Sequence, residues 1–272
     1  MEQFGEGEPL VLIHGLATTR AIWSDVTRTL ARTRRVVTLD VPGFGDSAPA
    51  GPGFEFDVVA DRIARGIAAR GIRGPIDLLG HSLGAGIALA LADARPRAVR
   101  RLVLVAPAGL WQLQPRATSV LAQGVDGMLA LRRAFAPLTD VGWGRRLLLA
   151  FTAADGASIP PSRARAIVDA SARATRSTEA FATIAGADLR PLLGRTTAPL
   201  GVIWGAADRT VPPRLARVVR EARPDAQIQL IERAGHVVMV ERPEAFVTAL
   251  ETLLEGLPKY ATSSNRERSK LS

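Results

Sequence analysis

Six short apolar runs restrict the fold of this 272-residue chain most strongly. We interpret each as continuous, without the alternation of polar and apolar residues that is typical of a half-exposed strand. They are PLVLIHG (9–15), RVVTLDVPG (35–43), IDLLGHS (76–82), RRLVLVAP (100–107), APLGVIWG (198–205) and AQIQLIE (226–232). Continuous β-branched runs are typical of strands buried on both faces of a parallel sheet. Segments with helical periodicity lie between them, at roughly 19–33, 57–71, 84–95, 212–223 and 243–256. The alternation predicts an α/β fold, a mostly parallel sheet with helices on both faces.

The alternation breaks once, in a segment of helix-like pieces with Gly, Pro and Ser breaks and no strong strand. It is too long for a loop in a compact domain. We therefore expect an inserted helical lid at 110–195, on an α/β core made of 1–109 and 196–256. The lid contains five large aromatic residues, and we expect most of them to pack in its own small core. They are Trp111, Phe135, Trp143, Phe151 and Phe181.

The composition limits the kinds of partner that we expect this chain to bind. The net charge is +9, but the arginines are scattered and aromatic residues make up only 5%, so no nucleic-acid partner is expected. No apolar run reaches the length of about 18 residues that a membrane span needs, and the acidic N-terminus does not resemble a secretory signal. Without cysteine the chain has neither thiolate metal ligands nor a cysteine nucleophile. We expect a cytoplasmic protein with a small-molecule substrate and no membrane partner, whose oligomeric state is open. The polar stretch 257–272 is predicted to be a disordered tail.

The segment GHSLG (80–84) puts one serine between two glycines, where the third apolar run ends and a helical segment begins. In this strand–turn–helix context the pattern G-x-S-x-G is typical of a nucleophilic serine on a tight turn. Gly80 and Gly84 would let the helix approach the strand closely. Ser82 is therefore the predicted nucleophile, and an ordinary turn serine is the alternative.

A serine hydroxyl needs a neighbouring base, and the chain has only three histidines. His236 follows the last strand, on a loop at the sheet edge where Ser82 is expected, and is the predicted base. His81 adjoins the serine in sequence, and we expect its side chain to point away as a packed strand-end residue. His14 ends the first strand, where a structural role fits better than that of a base.

The base in turn needs an acid that orients it. Asp208, in VIWGAADRTVPP, follows the fifth run and should lie beside the loop of His236, so we predict it as the orienting acid. The alternative role for Asp208 is a helix cap or turn. Asp188 and Asp225 are weaker candidates, because neither clearly follows the carboxyl end of a strand.

The order Ser82, Asp208, His236 goes with a nucleophile elbow on an α/β sheet. With these residues the chain resembles the α/β-hydrolase superfamily, of the lid-bearing kind that includes esterases, lactonases and carbon–carbon bond hydrolases. The matching stretches are PLVLIHGLA, VVTLDVPGFGDS, IDLLGHSLGAGIALALA, VRRLVLVAPAGL, VIWGAADRTVP and RAGHVVMVERPEAF, within residues 9–246. The resemblance is specific for the superfamily and says little about the substrate.

The resemblance also implies an oxyanion hole made of two backbone N–H groups, those of Leu16 and Leu83. The residues implied to support the site are His14, Gly15, Gly80 and Gly84. No cofactor and no metal are implied. Asp40 and Asp46, in the second matching stretch, are expected to hold a turn through side-chain to backbone bonds.

One departure from the family concerns the N-terminus. Family members usually begin with an antiparallel hairpin, but only eight residues precede Pro9. We expect this hairpin to be missing, which would leave about six strands and an exposed sheet edge, unless the natural chain starts upstream.

The sequence therefore predicts a serine hydrolase that cleaves a small or medium carboxylic ester, thioester or lactone through an acyl-enzyme intermediate. One alternative is an enzyme with the same triad that cleaves a carbon–carbon bond in a vinylogous 1,5-diketone. The PAGL segment (107–110) supports this alternative. Another is a ligand-binding member of the fold without catalysis.

Overall fold

A computed structural model describes residues 1–111 and 114–258. Within these residues the strands are β1 (Glu2–Phe4), β2 (Glu8–Ile13), β3 (Arg34–Leu39), β4 (Ile76–His81), β5 (Val99–Val105), β6 (Leu200–Gly205) and β7 (Gln227–Ile231). The α-helices are α1 (Ser24–Leu30), α2 (Phe56–Ala69), α3 (Leu83–Ala94), α4 (Pro115–Ala134), α5 (Gly142–Leu148), α6 (Pro161–Ala170), α7 (Ser177–Gly186), α8 (Arg190–Arg195), α9 (Ala216–Ala222), α10 (Val238–Glu241) and α11 (Pro243–Gly256).

All seven strands form one sheet in the order β1-β3-β2-β4-β5-β6-β7, and β2 to β7 run parallel to one another. Successive side chains of a strand point to opposite faces, so both faces of the sheet must be covered. In β2, Val11 and Ile13 join the cluster that holds α2 and α3, whereas Leu10 and Leu12 join the cluster that holds α1 and α11. Burial on both faces explains the continuous apolar runs, and the predicted α/β fold is confirmed.

The sheet has seven strands, one more than the six expected from the sequence. β1 pairs antiparallel with β3, with Glu2 opposite Thr38 and Phe4 opposite Val36. This strand therefore covers the edge that the sequence had led us to expect exposed. It has three residues, all of them solvent-exposed, so no buried apolar run announces it. It lies beside β3 and not in a hairpin with β2.

Helices α4 to α8 connect β5 to β6 where the sequence predicts an inserted lid, and we call residues 110–195 the helical insertion. The division into core and lid stays a prediction. The expectation that most of the aromatic residues in the insertion pack in its core is wrong. Trp111, Phe135, Trp143 and Phe151 are all exposed, by 37% to 75%. No helix in the described ranges is long and apolar enough to cross a membrane, and most of the predicted tail, 259–272, lies outside them.

A buried ion network lies at the amino ends of four neighbouring strands. Asp77, at the start of β4, is fully buried and accepts hydrogen bonds from Arg34, Arg100 and Arg101 at distances of 2.7 to 3.2 Å. Glu8 of β2 pairs with the last two of these arginines. The network joins β2, β3, β4 and β5 at the edge opposite their carboxyl ends, where the candidate site is expected.

Replacing Asp77 should test how much this network stabilises the fold. Asp77→Ala leaves guanidinium groups buried without their shared acceptor, so we expect a loss of about 3–5 kcal/mol in the free energy of unfolding. Urea denaturation measures it. The half-exposed Asp61, which pairs with Arg65 and Arg95 on the surface, is the matched control. Asp61→Ala should cost less than about 1 kcal/mol, and equal losses in both variants would contradict the account.

Candidate active site

Ser82 occupies a strained turn between β4 and α3. Its φ of 53° and ψ of −114° lie in a region that residues other than glycine rarely adopt. The turn is compact, because a Cβ on Gly80 would lie 2.2 Å from the carbonyl oxygen of Gly84. The backbone N–H of Ser82 donates to Val105 of the neighbouring strand at 2.9 Å. The sheet thus holds the serine where α3 begins, with the unpaired N–H groups of the helix start beside it.

The loop after β2 is ordered by His14. The Nε2 atom of His14 accepts the Val41 N–H at 2.9 Å, so the proton lies on Nδ1, which donates to the Gly15 carbonyl at 2.8 Å. The Thr18 hydroxyl donates to the same carbonyl at 2.9 Å. A peptide unit is planar, so fixing the Gly15 carbonyl also fixes the direction of the Leu16 N–H. Burial lowers the pKa of His14 to about 4, which keeps this ring neutral and in its orienting role.

His81 is buried beneath the loop that carries His236. Its Nε2 donates to the main-chain carbonyl of His236 at 3.0 Å, and the two ring centroids lie 4.7 Å apart. Its Nδ1 is buried without a hydrogen-bond partner in the described residues. Burial is the main reason why the pKa of His81 lies well below its ordinary range, and the charge of His236 lowers it further. This neutral ring packs between the serine turn and the loop that carries His236 and so fixes the distance between them.

His236 and Asp208 form the central polar contact of the site. The Nδ1 of His236 donates to the Asp208 carboxylate at 2.8 Å, and the carboxyl side chain is completely buried. The other carboxylate oxygen accepts the N–H groups of Thr210 and Val211 at 2.8 and 2.9 Å. Asp208 is therefore both a turn-former and a partner of His236, so the two roles weighed from the sequence coexist. The bond at Nδ1 leaves Nε2 of His236 as the nitrogen that can take a proton.

The loops that carry these two residues are tied to each other and to the insertion. Ala207 donates to Ala234 across the two loops at 2.9 Å, and the N–H of His236 donates to the Thr152 carbonyl at 3.0 Å. The hydroxyl of Thr210, two residues after Asp208, donates to the Phe151 carbonyl at 2.6 Å. Residues 150–154 of the insertion therefore contact both the acid loop and the histidine loop.

Glu241 is a residue of this region that the sequence analysis missed. One carboxylate oxygen accepts the Gly235 N–H at 2.8 Å, next to His236, and the other accepts the Ala154 N–H of the insertion at 2.7 Å. Burial raises the pKa of Glu241 above its ordinary 4.5, against the opposing effect of these two bonds. The only signal in the sequence was an acidic residue in the apolar stretch after His236, which also fits a solvated helix end.

Glu241→Gln should test this link. The folded protein holds the Glu241 proton to a higher pH than the unfolded chain, so the contribution of this group to the free energy of unfolding falls as the pH rises from 4.5 through the raised pKa. The variant should lose that pH dependence. It should also lower kcat about tenfold or more, because an amide has one acceptor for two N–H groups and the histidine loop shifts. The exposed Glu244, on α11, provides the control Glu244→Gln. A wild-type kcat in Glu241→Gln would rule out the link.

The other carboxylates considered from the sequence are engaged elsewhere. Asp40 accepts the backbone N–H groups of Arg20 at 2.8 Å and of Asp46 at 3.1 Å, which is the turn-holding role predicted for it. The prediction is wrong for the Asp46 side chain, which pairs with Arg20 and Arg173. Asp188 and Asp225 each pair with an arginine two residues away. In the described ranges no group of three or more His, Asp or Glu side chains could hold a metal ion.

The arrangement has the parts needed for acyl transfer. It combines a hydroxyl on a strained turn, an imidazole oriented by a buried carboxylate, and two backbone N–H groups at neighbouring loops. The N–H groups of Leu16 and Leu83 donate to no backbone carbonyl in the hydrogen bonds of the described residues. They are therefore free to receive an anionic oxygen.

Residues 8–243 match the family model of the α/β-hydrolase fold. The chain is 30% identical over 263 residues to the pimeloyl-[acyl-carrier protein] methyl ester esterase of Chromobacterium violaceum, over 94% of this chain and 97% of that protein. It is 31% identical over 268 residues to the 2-hydroxymuconate semialdehyde hydrolase of a Pseudomonas strain, over 92% and 88%. Among solved structures it resembles a bacterial membrane phospholipase A with a TM-score of 0.74 and 28% identity, over 93% of this chain and 81% of that one.

Proposed function

Because the chain belongs to the α/β-hydrolase family, we propose that it is a serine hydrolase that cleaves a small or medium carboxylic ester, thioester or lactone. One observation carries the proposal. The buried Asp208 carboxylate fixes the proton of His236 on Nδ1, and the His236 ring centroid lies 4.7 Å from that of His81, the residue directly before Ser82, whose φ is positive. A ligand-binding protein has no need of a strained serine next to an oriented imidazole.

In the first half-reaction the Ser82 Oγ attacks the carbonyl carbon while His236 Nε2 takes the hydroxyl proton. The carbonyl oxygen becomes an oxyanion, which accepts hydrogen bonds from the Leu16 and Leu83 N–H groups. The protonated imidazole is stabilised by Asp208. When the tetrahedral intermediate collapses, the bond to the leaving group breaks and Nε2 gives its proton to the departing oxygen or sulfur.

In the second half-reaction a water molecule attacks the acyl-enzyme carbonyl, and Nε2 of His236 takes one of its protons. The same two N–H groups hold the second oxyanion. Collapse breaks the bond to the Ser82 Oγ, which recovers its proton from His236, and the carboxylic acid leaves. His236 thus alternates between base and acid, which requires that Nε2 stay free in the resting state.

A second candidate is the hydrolysis of a carbon–carbon bond in a vinylogous 1,5-diketone with the same three residues. Similarity to a 2-hydroxymuconate semialdehyde hydrolase supports it, together with the PAGL segment at 107–110. The similarity to a methyl ester esterase is of the same extent and supports the ester reaction, so a test of substrates has to separate the two.

A substrate panel separates the two candidates. It comprises p-nitrophenyl esters of increasing acyl length, methyl esters of the same acids, a thioester, a lactone and a ring-fission dienoate. We expect turnover of the esters, with kcat/KM in the ordinary enzymatic range of about 10⁴ M⁻¹s⁻¹ or more for the best acyl length. Turnover of the dienoate alone would establish the carbon–carbon reaction instead. Binding of panel members without turnover of any would leave a ligand-binding protein and contradict both.

A further inference from the structure

Helix α4 has two different faces. Its buried side consists of Thr118, Ala122, Val125 and Leu129, and α7 is the element it packs against most extensively. Another side of the helix carries four large apolar side chains, and Phe135 directly after the helix continues this row; all five are between 50% and 70% exposed. We call these five the apolar stripe: Val120, Leu121, Met128, Leu131 and Phe135.

The apolar stripe is continuous. At 3.6 residues per turn its members cover about a third of the helix circumference and extend about 22 Å along it. The other residues in this sector are Ala117, Gly124 and Gly127, so no charged group interrupts it. The only acidic residue of α4, Asp126, lies on the side of α7 and accepts a hydrogen bond from Thr178 at 2.8 Å.

Exposed apolar surface is concentrated in the insertion. Ten of the thirteen exposed large apolar residues of the described ranges lie between 110 and 195. Trp143, Leu147 and Phe151, spaced four apart in and after α5, are each more than 60% exposed. Single exposed apolar residues are normal, but a continuous stripe on one helix marks a contact surface.

The charges around the stripe are positive. Arg116 borders it on one side and Arg132 on the other, and over residues 110–195 eleven arginines face six acidic residues. The Nε and Nη2 atoms of Arg132 are buried without a hydrogen-bond partner in the described residues, so this side chain adds positive charge beneath the stripe's border, whereas Arg116 is exposed. Burial lowers the pKa of Arg132 to about 10, which leaves it charged at neutral pH. The partner of this face must therefore be apolar at its centre and negative around it.

We propose that the apolar stripe of α4 docks the protein on a lipid surface that contains anionic headgroups. The apolar side chains enter the boundary between headgroups and acyl chains, the exposed Arg116 pairs with a phosphate, and Arg132 contributes only its charge. A second copy of the chain fits less well, because a two-fold interface would bring Arg116 and Arg132 against the same cationic residues.

The proposal differs from the expectation of no membrane partner made from the sequence. It concerns a helix lying on the surface, and the described residues contain no helix that could span a membrane. It also stands apart from the proposed reaction, because docking requires neither Ser82 nor His236. Ser82→Ala should bind vesicles as the wild type does, so failure of one proposal leaves the other intact.

Vesicle co-sedimentation tests it, with phosphatidylcholine vesicles made with and without phosphatidylglycerol. We expect wild-type protein to bind the anionic vesicles at least tenfold more tightly than the neutral ones. The double variant Met128→Gln/Leu131→Gln should lose at least tenfold in affinity, because two side chains leave the lipid boundary. Leu230→Gln, at a residue of β7 that is 52% exposed, is the matched control and should bind like the wild type.

A second pair of variants tests the charge. Arg116→Gln should weaken binding to anionic vesicles about fivefold, whereas Arg62→Gln, at an exposed residue of α2 outside the insertion, should not. Thermal denaturation confirms that each variant is folded. Equal binding by the wild type and the double variant, or no binding to anionic vesicles, would overturn the proposal. So would a wild-type dimer that the double variant converts to a monomer while vesicle binding is absent. A higher KM for a soluble short-chain ester in the double variant, with vesicle binding unchanged, would show that the stripe faces the substrate instead.

Discussion

Ser82→Ala should lower kcat for the best ester of the panel by about 10⁶-fold, the scale on which loss of a serine nucleophile disables a complete triad. The substitution removes the only atom that forms the acyl-enzyme bond, and His236 is then a base without its hydroxyl. Activity that persists comes from the oxyanion hole and substrate binding alone.

The variant should remain folded, so the loss is chemical. Alanine does not relieve the positive φ of 53°, which belongs to the turn between β4 and α3 and is imposed by the sheet. The melting temperature should therefore stay close to that of the wild type. A folded Ser82→Ala protein that retains more than about one hundredth of the wild-type kcat would remove Ser82 from the mechanism.

Asp208→Asn should lower kcat by about 10⁴-fold, for a reason specific to this loop. One oxygen of the side chain accepts the N–H groups of Thr210 and Val211, and an asparagine keeps those bonds only with its carbonyl in that position. Its NH₂ then faces Nδ1 of His236, which must act as an acceptor. The histidine proton moves to Nε2, the wrong tautomer for a base.

The same two backbone bonds should keep the loop of Asp208→Asn in place, so stability should change by less than about 1.5 kcal/mol. The chain provides matched aspartates in the two weaker candidates from the sequence. Asp225→Asn and Asp188→Asn should leave kcat within about twofold of the wild type, since the exposed Asp225 pairs with Arg223 and Asp188 with Arg190, and neither contacts His236 in the described residues. A large loss in either control, with little loss in Asp208→Asn, would reassign the orienting acid.

Much of the core could be predicted because burial on both faces of a parallel sheet leaves a simple pattern. β2 to β6 each contain a continuous apolar run, whereas β7 (Gln227–Ile231) alternates with glutamines and is a partly exposed edge strand. β1 could not be found this way, since Glu2, Gln3 and Phe4 are exposed and pair with β3 through their backbone. Whether three residues form an edge strand depends on the strand beside them and not on their own composition.

The placement of the candidate site residues was predictable as far as they follow strand ends. Ser82, Asp208 and His236 each come shortly after a buried run, and parallel strands bring such positions to one edge. Glu241 was not predictable, because its partners Gly235 and Ala154 are joined only through the fold of the insertion. The prediction that most aromatic side chains of the insertion are buried failed for a related reason. A single sequence shows that α4 has two apolar sectors, but not which one faces α7.

The central claim is that Ser82 is the activated nucleophile, and covalent labelling tests it most directly. The wild-type protein is treated with a fluorophosphonate, which reacts with activated serines, and the adduct is located by mass spectrometry of its peptides. The account predicts one adduct, on Ser82, and almost none in His236→Ala, where the hydroxyl has no base. A protein that hydrolyses esters while Ser82 stays unlabelled, or that is labelled on another residue, would contradict it.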